Sequence, residues 1–259
     1  MLKTAALIIA TSTFAHYHVR YETAKVYPFD STHVSPETAG EPRLTETREV
    51  TSDGEKLVIW RALAAPGRPT IFYLPGNAGG LKDRAERFRR LIDRGYGIVA
   101  VGYRGSSGST GLPEEDALIA DALALASAET AKPLVLYGES LGTAMAIRLA
   151  ARGIGDAIVL EAPFTSLVEL VGIQYPNEDL GHLVTQRWES ERHIANVTLP
   201  LLIFHGSGDR VVPIDMGRRL FAKAGSSQKH FLEIGDRGHT GLWTIDAQTA
   251  LYDFLYEAG

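Results

Sequence analysis

Leu134-Val135-Leu136-Tyr137-Gly138-Glu139-Ser140-Leu141-Gly142-Thr143-Ala144-Met145-Ala146-Ile147-Arg148-Leu149-Ala150 is the stretch whose reading decides the fold. It opens on a short apolar run of strand type and closes on mostly good helix formers. Between them lies Gly-x-Ser-x-Gly. A serine on so sharp a strand-to-helix turn crowds the backbone, so the residues two before and two after it must be small. Glycine at 138 and 142 meets that need. The turn lifts the Ser140 hydroxyl out of the sheet edge and aims the next backbone N–H, that of Leu141, at the same point. Ser140 is therefore the candidate nucleophile.

Outward from this turn the pattern alternates. Arg48–Ser52 and Lys56–Leu63 flank Asp53-Gly54, a hairpin signal. Thr70–Leu74 reads as a strand and Lys82–Arg94 as a helix ending at Gly95. Gly97–Tyr103 is a strand, and Glu114–Ala128 a helix opened by Pro113. Leu141–Arg152 is the helix after the turn. Ala157–Leu160, Leu201–His205 and His230–Ile234 read as strands, with helices over Ile214–Ala224 and Leu242–Tyr256. Such βαβα alternation predicts an α/β domain: a mostly parallel sheet with helices on both faces and its site at the carboxyl ends of the strands. Residues 162–200, with Pro163, Pro176 and Pro200, break the rhythm and read as a short helical insertion over the site. Residues 21–47 carry Pro28, Pro36 and Pro42 and read as a linker, so the domain itself is expected over 48–259.

The chain has 259 residues, enough for one large domain, and a globular composition of 45% hydrophobic and 22% charged residues. A net charge of −5 gives no support for a nucleic-acid partner. The basic residues Lys82, Arg84, Arg87, Arg89 and Arg90 alternate with Asp83 and Glu86 and read as a solvated helix face. With no cysteine, disulfides, thiolate metal sites and a cysteine nucleophile are excluded. No metal and no cofactor is expected. Residues 1–20 contain Ala5-Ala6-Leu7-Ile8-Ile9-Ala10 and Phe14-Ala15, ended by His16, His18 and Arg20. That run is short for a spanning helix. It suits a membrane anchor or a signal-like segment, with membrane association or export as the consequence. A soluble amphipathic helix in a cytoplasmic protein is the alternative. His16 and His18 lack a third ligand nearby and read as interfacial or exposed.

A serine hydroxyl needs a base to take its proton, and the base needs a carboxylate to hold its tautomer. The best base is His239, in Gly235-Asp236-Arg237-Gly238-His239, just after the last strand. The best acid is Asp209, in His205-Gly206-Ser207-Gly208-Asp209. Both follow strands, at the sheet end that carries Ser140, and the chain order is Ser, Asp, His. Glu161, at a strand end, is the second candidate acid. Asp236 stands too close to His239 in sequence to reach the far ring nitrogen. His205 reads as a packing residue, and His182 and His193 lack a nameable partner. An acyl transfer also needs two N–H groups facing the carbonyl oxygen. One belongs to Leu141. The other is expected from Asn77, in Pro75-Gly76-Asn77-Ala78-Gly79-Gly80 after the strand Thr70–Leu74. The glycine-rich loop Gly102–Gly111 looks phosphate-friendly but lacks the spacing of a nucleotide fingerprint.

Together, Pro75-Gly76-Asn77-Ala78-Gly79, Tyr103-Arg104-Gly105-Ser106-Ser107-Gly108-Ser109, Gly138-Glu139-Ser140-Leu141-Gly142, Glu161-Ala162-Pro163-Phe164, His205-Gly206-Ser207-Gly208-Asp209 and Gly238-His239 resemble the α/β-hydrolase superfamily. In particular they resemble its small-lid serine hydrolases, of the serine aminopeptidase-like and bud-emergence type, from about Arg48 to Tyr256. The resemblance implies the α/β-hydrolase fold with a short lid. It implies Ser140 as nucleophile, Asp209 as acid, His239 as base, and Asn77 and Leu141 as oxyanion donors. An N-terminal hydrophobic anchor, common among relatives, agrees with residues 1–20. The family usually has histidine where Pro75 stands, so a side-chain contact beneath the oxyanion loop is lost. The activity implied is hydrolysis of a carboxylic ester or thioester, with a small-molecule or lipid acyl substrate. A peptidase or acyltransferase using the same residues, and a silent binding protein on the same fold, are the alternatives; the oligomeric state is left open.

Overall fold

The computed structural model describes residues 22–258, so the apolar segment 1–20, with His16 and His18, lies outside the described residues. Among the described residues eight strands form one sheet, in the order β1-β2-β4-β3-β5-β6-β7-β8. They are β1 (Thr45–Val50), β2 (Lys56–Ala62), β3 (Thr70–Leu74), β4 (Gly97–Val101), β5 (Leu134–Glu139), β6 (Ala157–Glu161), β7 (Leu201–Gly206) and β8 (Lys229–Ile234). β2 runs antiparallel to β1 and β4, and every other pairing is parallel. The helices are α1 (Ala85–Ile92), α2 (Glu115–Ala128), α3 (Leu141–Ala150), α4 (Leu167–Gln174), α5 (Ser190–His193), α6 (Ile214–Lys223) and α7 (Ile245–Glu257).

The period-2 geometry of a strand divides its side chains between two faces. Along β3, Phe72 and Leu74 join the core that holds Leu118, Met145 and Leu220, from α2, α3 and α6. Ile71 and Tyr73 join the opposite core, with Phe88, Leu91, Leu251 and Phe254 from α1 and α7. Both faces are thus covered, which is why β3, β4 and β6 are buried end to end.

Several elements depart from the sequence reading. The helix expected over Lys82–Arg94 begins as a tight 3₁₀ turn, Leu81–Arg84, before α1. The Asp83 carboxylate takes the Gly80 N–H at 2.8 Å and draws that turn in. The last helix starts at Ile245, not Leu242, because the Thr244 hydroxyl caps it by accepting the Ala247 N–H. The stretch read as a linker, 21–47, is more than a spacer over its described part. Tyr27 and Leu44 are buried, and Phe29 pairs with Gly79. Physically, Tyr27 finds a polar partner on each side of its hydroxyl: it donates to Gln186 at 2.8 Å and accepts from Trp188 Nε1 at 3.0 Å. The glycine-rich loop after β4 spends its hydroxyls internally. Ser107 Oγ accepts the Leu81 N–H at 2.9 Å, and Ser109 Oγ accepts the Val58 N–H at 2.8 Å. Residues 162–200 hold the short helices α4 and α5 and two 3₁₀ turns, Gly181–Leu183 and Ile194–Asn196.

Two glycines on helices test how the turn at Ser140 is built. A Cβ on Gly142 would stand 1.9 Å from the Leu74 carbonyl oxygen, whereas one on Gly172, in α4, would meet nothing within 4 Å. Gly142→Ala is expected to lower stability by about 3 kcal/mol. Gly172→Ala should raise it by about 0.5–1 kcal/mol through helix propensity alone. Urea denaturation of the two variants checks both signs.

Candidate active site

Ser140 sits between β5 and α3 with φ 48° and ψ −111°, backbone that a side chain adopts only under constraint. The constraint is steric. A Cβ on Gly138 would lie 2.6 Å from the Gly142 carbonyl oxygen, and Gly142 itself abuts Leu74. The Ser140 N–H donates to the Glu161 carbonyl at 2.8 Å, tying the turn to the end of β6.

The structure brings three of the sequence candidates together. Ser140 Oγ lies 2.9 Å from His239 Nε2, and His239 Nδ1 lies 2.8 Å from Asp209 Oδ2. Asp209 is buried, and its other oxygen accepts the Val211 and Val212 N–H groups, each at 2.9 Å. Burial pushes its carboxyl up, but hydrogen bonds from His205 and His239 outweigh that and hold it well below the usual carboxylate range. His205, read as packing, is indeed wholly buried, yet it also touches the acid. Its Nε2 is 2.9 Å from the Val212 carbonyl and 3.3 Å from Asp209 Oδ2.

Leu141 is the first residue of α3, so its N–H has no acceptor within the helix. Asn77, Gly76, Ala78, Ser140, Ala162 and His239 line one small pocket of about 170 Å³. Asn77 thus shares that pocket with Ser140, and Leu141 follows Ser140 directly in the chain. The Asn77 side chain points elsewhere, donating to the Val26 carbonyl at 2.9 Å. Pro75 contributes its carbonyl, which accepts the Tyr103 hydroxyl at 2.9 Å, so the loop is anchored without the histidine of the family pattern.

Glu161 does not reach His239. It accepts from Tyr137 at 2.6 Å and from both Nη atoms of Arg87, at 2.6 and 3.1 Å. Asp236 is exposed on a turn with φ 54°. His193 meets the Arg148 guanidinium, and burial together with that charge lowers its pKa. His182 is exposed near Asp179.

The reading of the 82–90 charges as a solvated face is corrected at Arg84 and Arg87, whose side chains are only 10% and 18% exposed. Set one turn apart, they face inward onto the carboxylates that end β5 and β6. Arg84 meets Glu139 through Nε at 3.1 Å and Nη2 at 2.8 Å. Arg87 binds Glu161, donates to the Tyr73 hydroxyl oxygen at 2.5 Å, and lies 4.6 Å from the Trp243 ring on the loop after His239. Burial pushes Glu139 up, and the two guanidiniums reverse this and hold it below the carboxylate range. No signal within residues 82–90 separates Arg84 and Arg87 from their solvated neighbours, since their partners stand 55 and 74 residues away. Lys82, Arg89 and Arg90 pair instead with exposed or half-buried acids near the surface.

No protein-family model matches the chain. An uncharacterized protein of Mycobacterium tuberculosis strain H37Rv is 34% identical over 209 residues, covering 78% of this chain and 74% of that protein. Lysophosphatidylserine lipase ABHD12 of Danio rerio is 34% identical over 184 residues, which is 62% of this chain and 48% of that protein. The chain therefore spans about half the length of that lipase. An esterase of Pyrococcus furiosus superposes with a TM-score of 0.73 at 16% identity, covering 89% of this chain and 96% of its own. A monoacylglycerol lipase of Paleococcus ferrophilus gives a TM-score of 0.61 at 18% identity, covering 78% and 99%. These two likenesses concern the fold. The chain belongs to the α/β-hydrolase superfamily.

Two outcomes follow from the electrostatics. Arg87→Met leaves Glu161 buried without its cation and should cost about 3–5 kcal/mol in urea denaturation. Asp209 has a folded pKa below its unfolded one. Its contribution is therefore complete above the unfolded value of about 3.9 and is lost as the pH falls through the folded value. The stability gap between wild type and Asp209→Asn should narrow as the pH drops from 7 through this range. A gap constant down to pH 2 contradicts it.

Proposed function

We propose that this protein is a serine hydrolase of carboxylic esters, with Ser140 as nucleophile, His239 as general base and Asp209 as the acid that orients it. One observation carries the reading: the unbroken chain of contacts from Ser140 Oγ to His239 Nε2 at 2.9 Å and from His239 Nδ1 to Asp209 Oδ2 at 2.8 Å. Asp209 accepts at Nδ1, so the ring proton resides there and Nε2 is free to receive the serine proton. Ser140 Oγ attacks the carbonyl carbon while its proton passes to Nε2. The oxygen of the tetrahedral intermediate meets the N–H groups of Asn77 and Leu141. Collapse expels the alcohol, which takes the proton from Nε2. Water then enters and attacks the acyl carbon while giving a proton to Nε2; the bond from the acyl carbon to Ser140 Oγ breaks, Oγ recovers the proton from Nε2, and the acid leaves. A thioester follows the same course with a thiol leaving group.

The substrate proposed is a lipid-type acyl ester. The relative from Danio rerio is named a lysophosphatidylserine lipase, and a fold neighbour is a monoacylglycerol lipase. The small pocket beside Ser140 is lined in part by the paired charges Arg84, Arg87, Glu139 and Glu161, a polar wall that fits the headgroup side of such an ester. Residues 1–20 would bring the domain to a membrane surface. Among the described residues, no helix is long and apolar enough to cross one.

A fluorophosphonate probe should label the wild type at Ser140, and Ser140→Ala should remain folded, unlabelled and inactive toward p-nitrophenyl and monoacylglycerol esters. Asp209→Asn is expected to cut kcat by about 10⁴-fold. A folded Ser140→Ala with undiminished turnover refutes the nucleophile. If Glu161→Gln slows the reaction as Asp209→Asn should, and Asp209→Asn does not, the acid is misassigned.

A further inference from the structure

Arg84 holds two segments of the site on one side chain. Through Nε and Nη2 it binds both oxygens of Glu139, the residue immediately before Ser140. Through Nη1 it donates to the Ala78 carbonyl at 2.7 Å and the Gly80 carbonyl at 3.2 Å. Ala78 follows Asn77 directly. A Cβ added to Gly79 would lie 3.0 Å from Nη1, so the loop backbone wraps closely over the guanidinium. We propose that Arg84 is a positioning residue for the oxyanion loop, fixing the separation between the Asn77 N–H and the Ser140 hydroxyl by the width of one planar group. This rests on the roles assigned to Ser140, Asn77 and Leu141 above.

The chemistry of the side chain makes the point specific. A guanidinium presents five donors in a rigid fork, so its bonds to carboxylate and carbonyls cannot move independently. The carboxylate side is anchored further, since Glu139 also accepts from Tyr73 at 2.7 Å. The turn at Ser140 is fixed by Gly142 against Leu74, whereas the far end of the loop 75–80 is held by hydrogen bonds, the Asp30 N–H donating to the Gly79 carbonyl at 3.0 Å and the Gly80 N–H to Asp83 at 2.8 Å. At its near end the Asn77 side chain donates to the Val26 carbonyl and the Pro75 carbonyl accepts from the Tyr103 hydroxyl. Arg84 is the side chain that joins this loop directly to the nucleophile's neighbour. Lysine keeps the charge opposite Glu139, but a single ammonium cannot span Glu139 and two carbonyls at once. An oxyanion donor displaced by a fraction of an ångström loses most of its preference for the transition state over the ground state.

The test compares wild type, Arg84→Lys and Arg84→Ala, all as the full chain, with a fluorophosphonate probe and a p-nitrophenyl ester. For Arg84→Lys, kcat should fall about 100-fold with KM held within about threefold. The probe should still titrate one serine per chain, at a correspondingly slower rate. Methylguanidinium added to Arg84→Ala should recover part of the lost kcat, and ethylammonium should not. A residue that only stabilised the fold would lower the titratable fraction and leave the rate per labelled site unchanged, and that result overturns the proposal. So does an Arg84→Lys rate equal to wild type, which decides the matter even if Arg84→Ala fails to fold. A wild type left unlabelled removes the serine-hydrolase reading and this inference together. A labelled wild type with an indifferent Arg84→Lys removes this inference alone.

Discussion

The contact between α3 and the end of β3 sets the geometry from which the site follows. The Leu74 carbonyl stands where any side chain at 142 would begin. With the helix drawn in that far, the connection from β5 must turn within a residue, and Ser140 is forced to positive φ. The same contact controls a second segment, because Pro75, Gly76 and Asn77 leave β3 immediately after Leu74. One steric event therefore lifts the hydroxyl and lays the neighbouring loop beside it. His239 and Asp209 reach the place by the parallel register, since β7 and β8 end side by side, with Gly206 paired to Ile234.

Beneath this arrangement lies a balanced set of four charges. Arg84 with Glu139 and Arg87 with Glu161 are largely withdrawn from water, and Tyr73 and Tyr137 supply further hydrogen bonds. Burying ion pairs offers little net stability, because desolvation offsets the Coulombic gain. What such a set provides is definition: each carboxylate is met by a donor fork, and alternative packings leave a charge unpaired. Glu139 and Glu161 close adjacent strands in register. Fixing them fixes the strand ends on which Ser140 and its carbonyl partner stand.

Most of the sheet was legible because each strand is a short apolar run bounded by turn residues, and burial on both faces leaves no other reading for Thr70–Leu74 or Ala157–Leu160. The three side chains that converge were legible for a related reason: each follows a strand, and parallel strands gather their ends. Arg84 and Arg87 were not. Within the window 82–90 their acidic neighbours satisfy every local rule for a solvated helix. Their true partners lie 55 and 74 residues away. Only a tertiary fold brings such groups together. The 3₁₀ entry to α1 and the delayed start of α7 escaped for the opposite reason, being decided by single capping bonds that periodicity does not register.

The packed stretch before β1 bears on how this protein can be shortened. Glu22 accepts the Thr185 and Gln186 N–H groups at 2.8 and 3.0 Å, Tyr27 lies against Trp188, and Val26 receives the Asn77 amide. A cut made ahead of Glu22 would leave this strap whole and isolate the effect of residues 1–21. A cut a few residues deeper would unfasten the loop beside Ser140 and uncover an indole, and any resulting loss of turnover would say nothing about membranes.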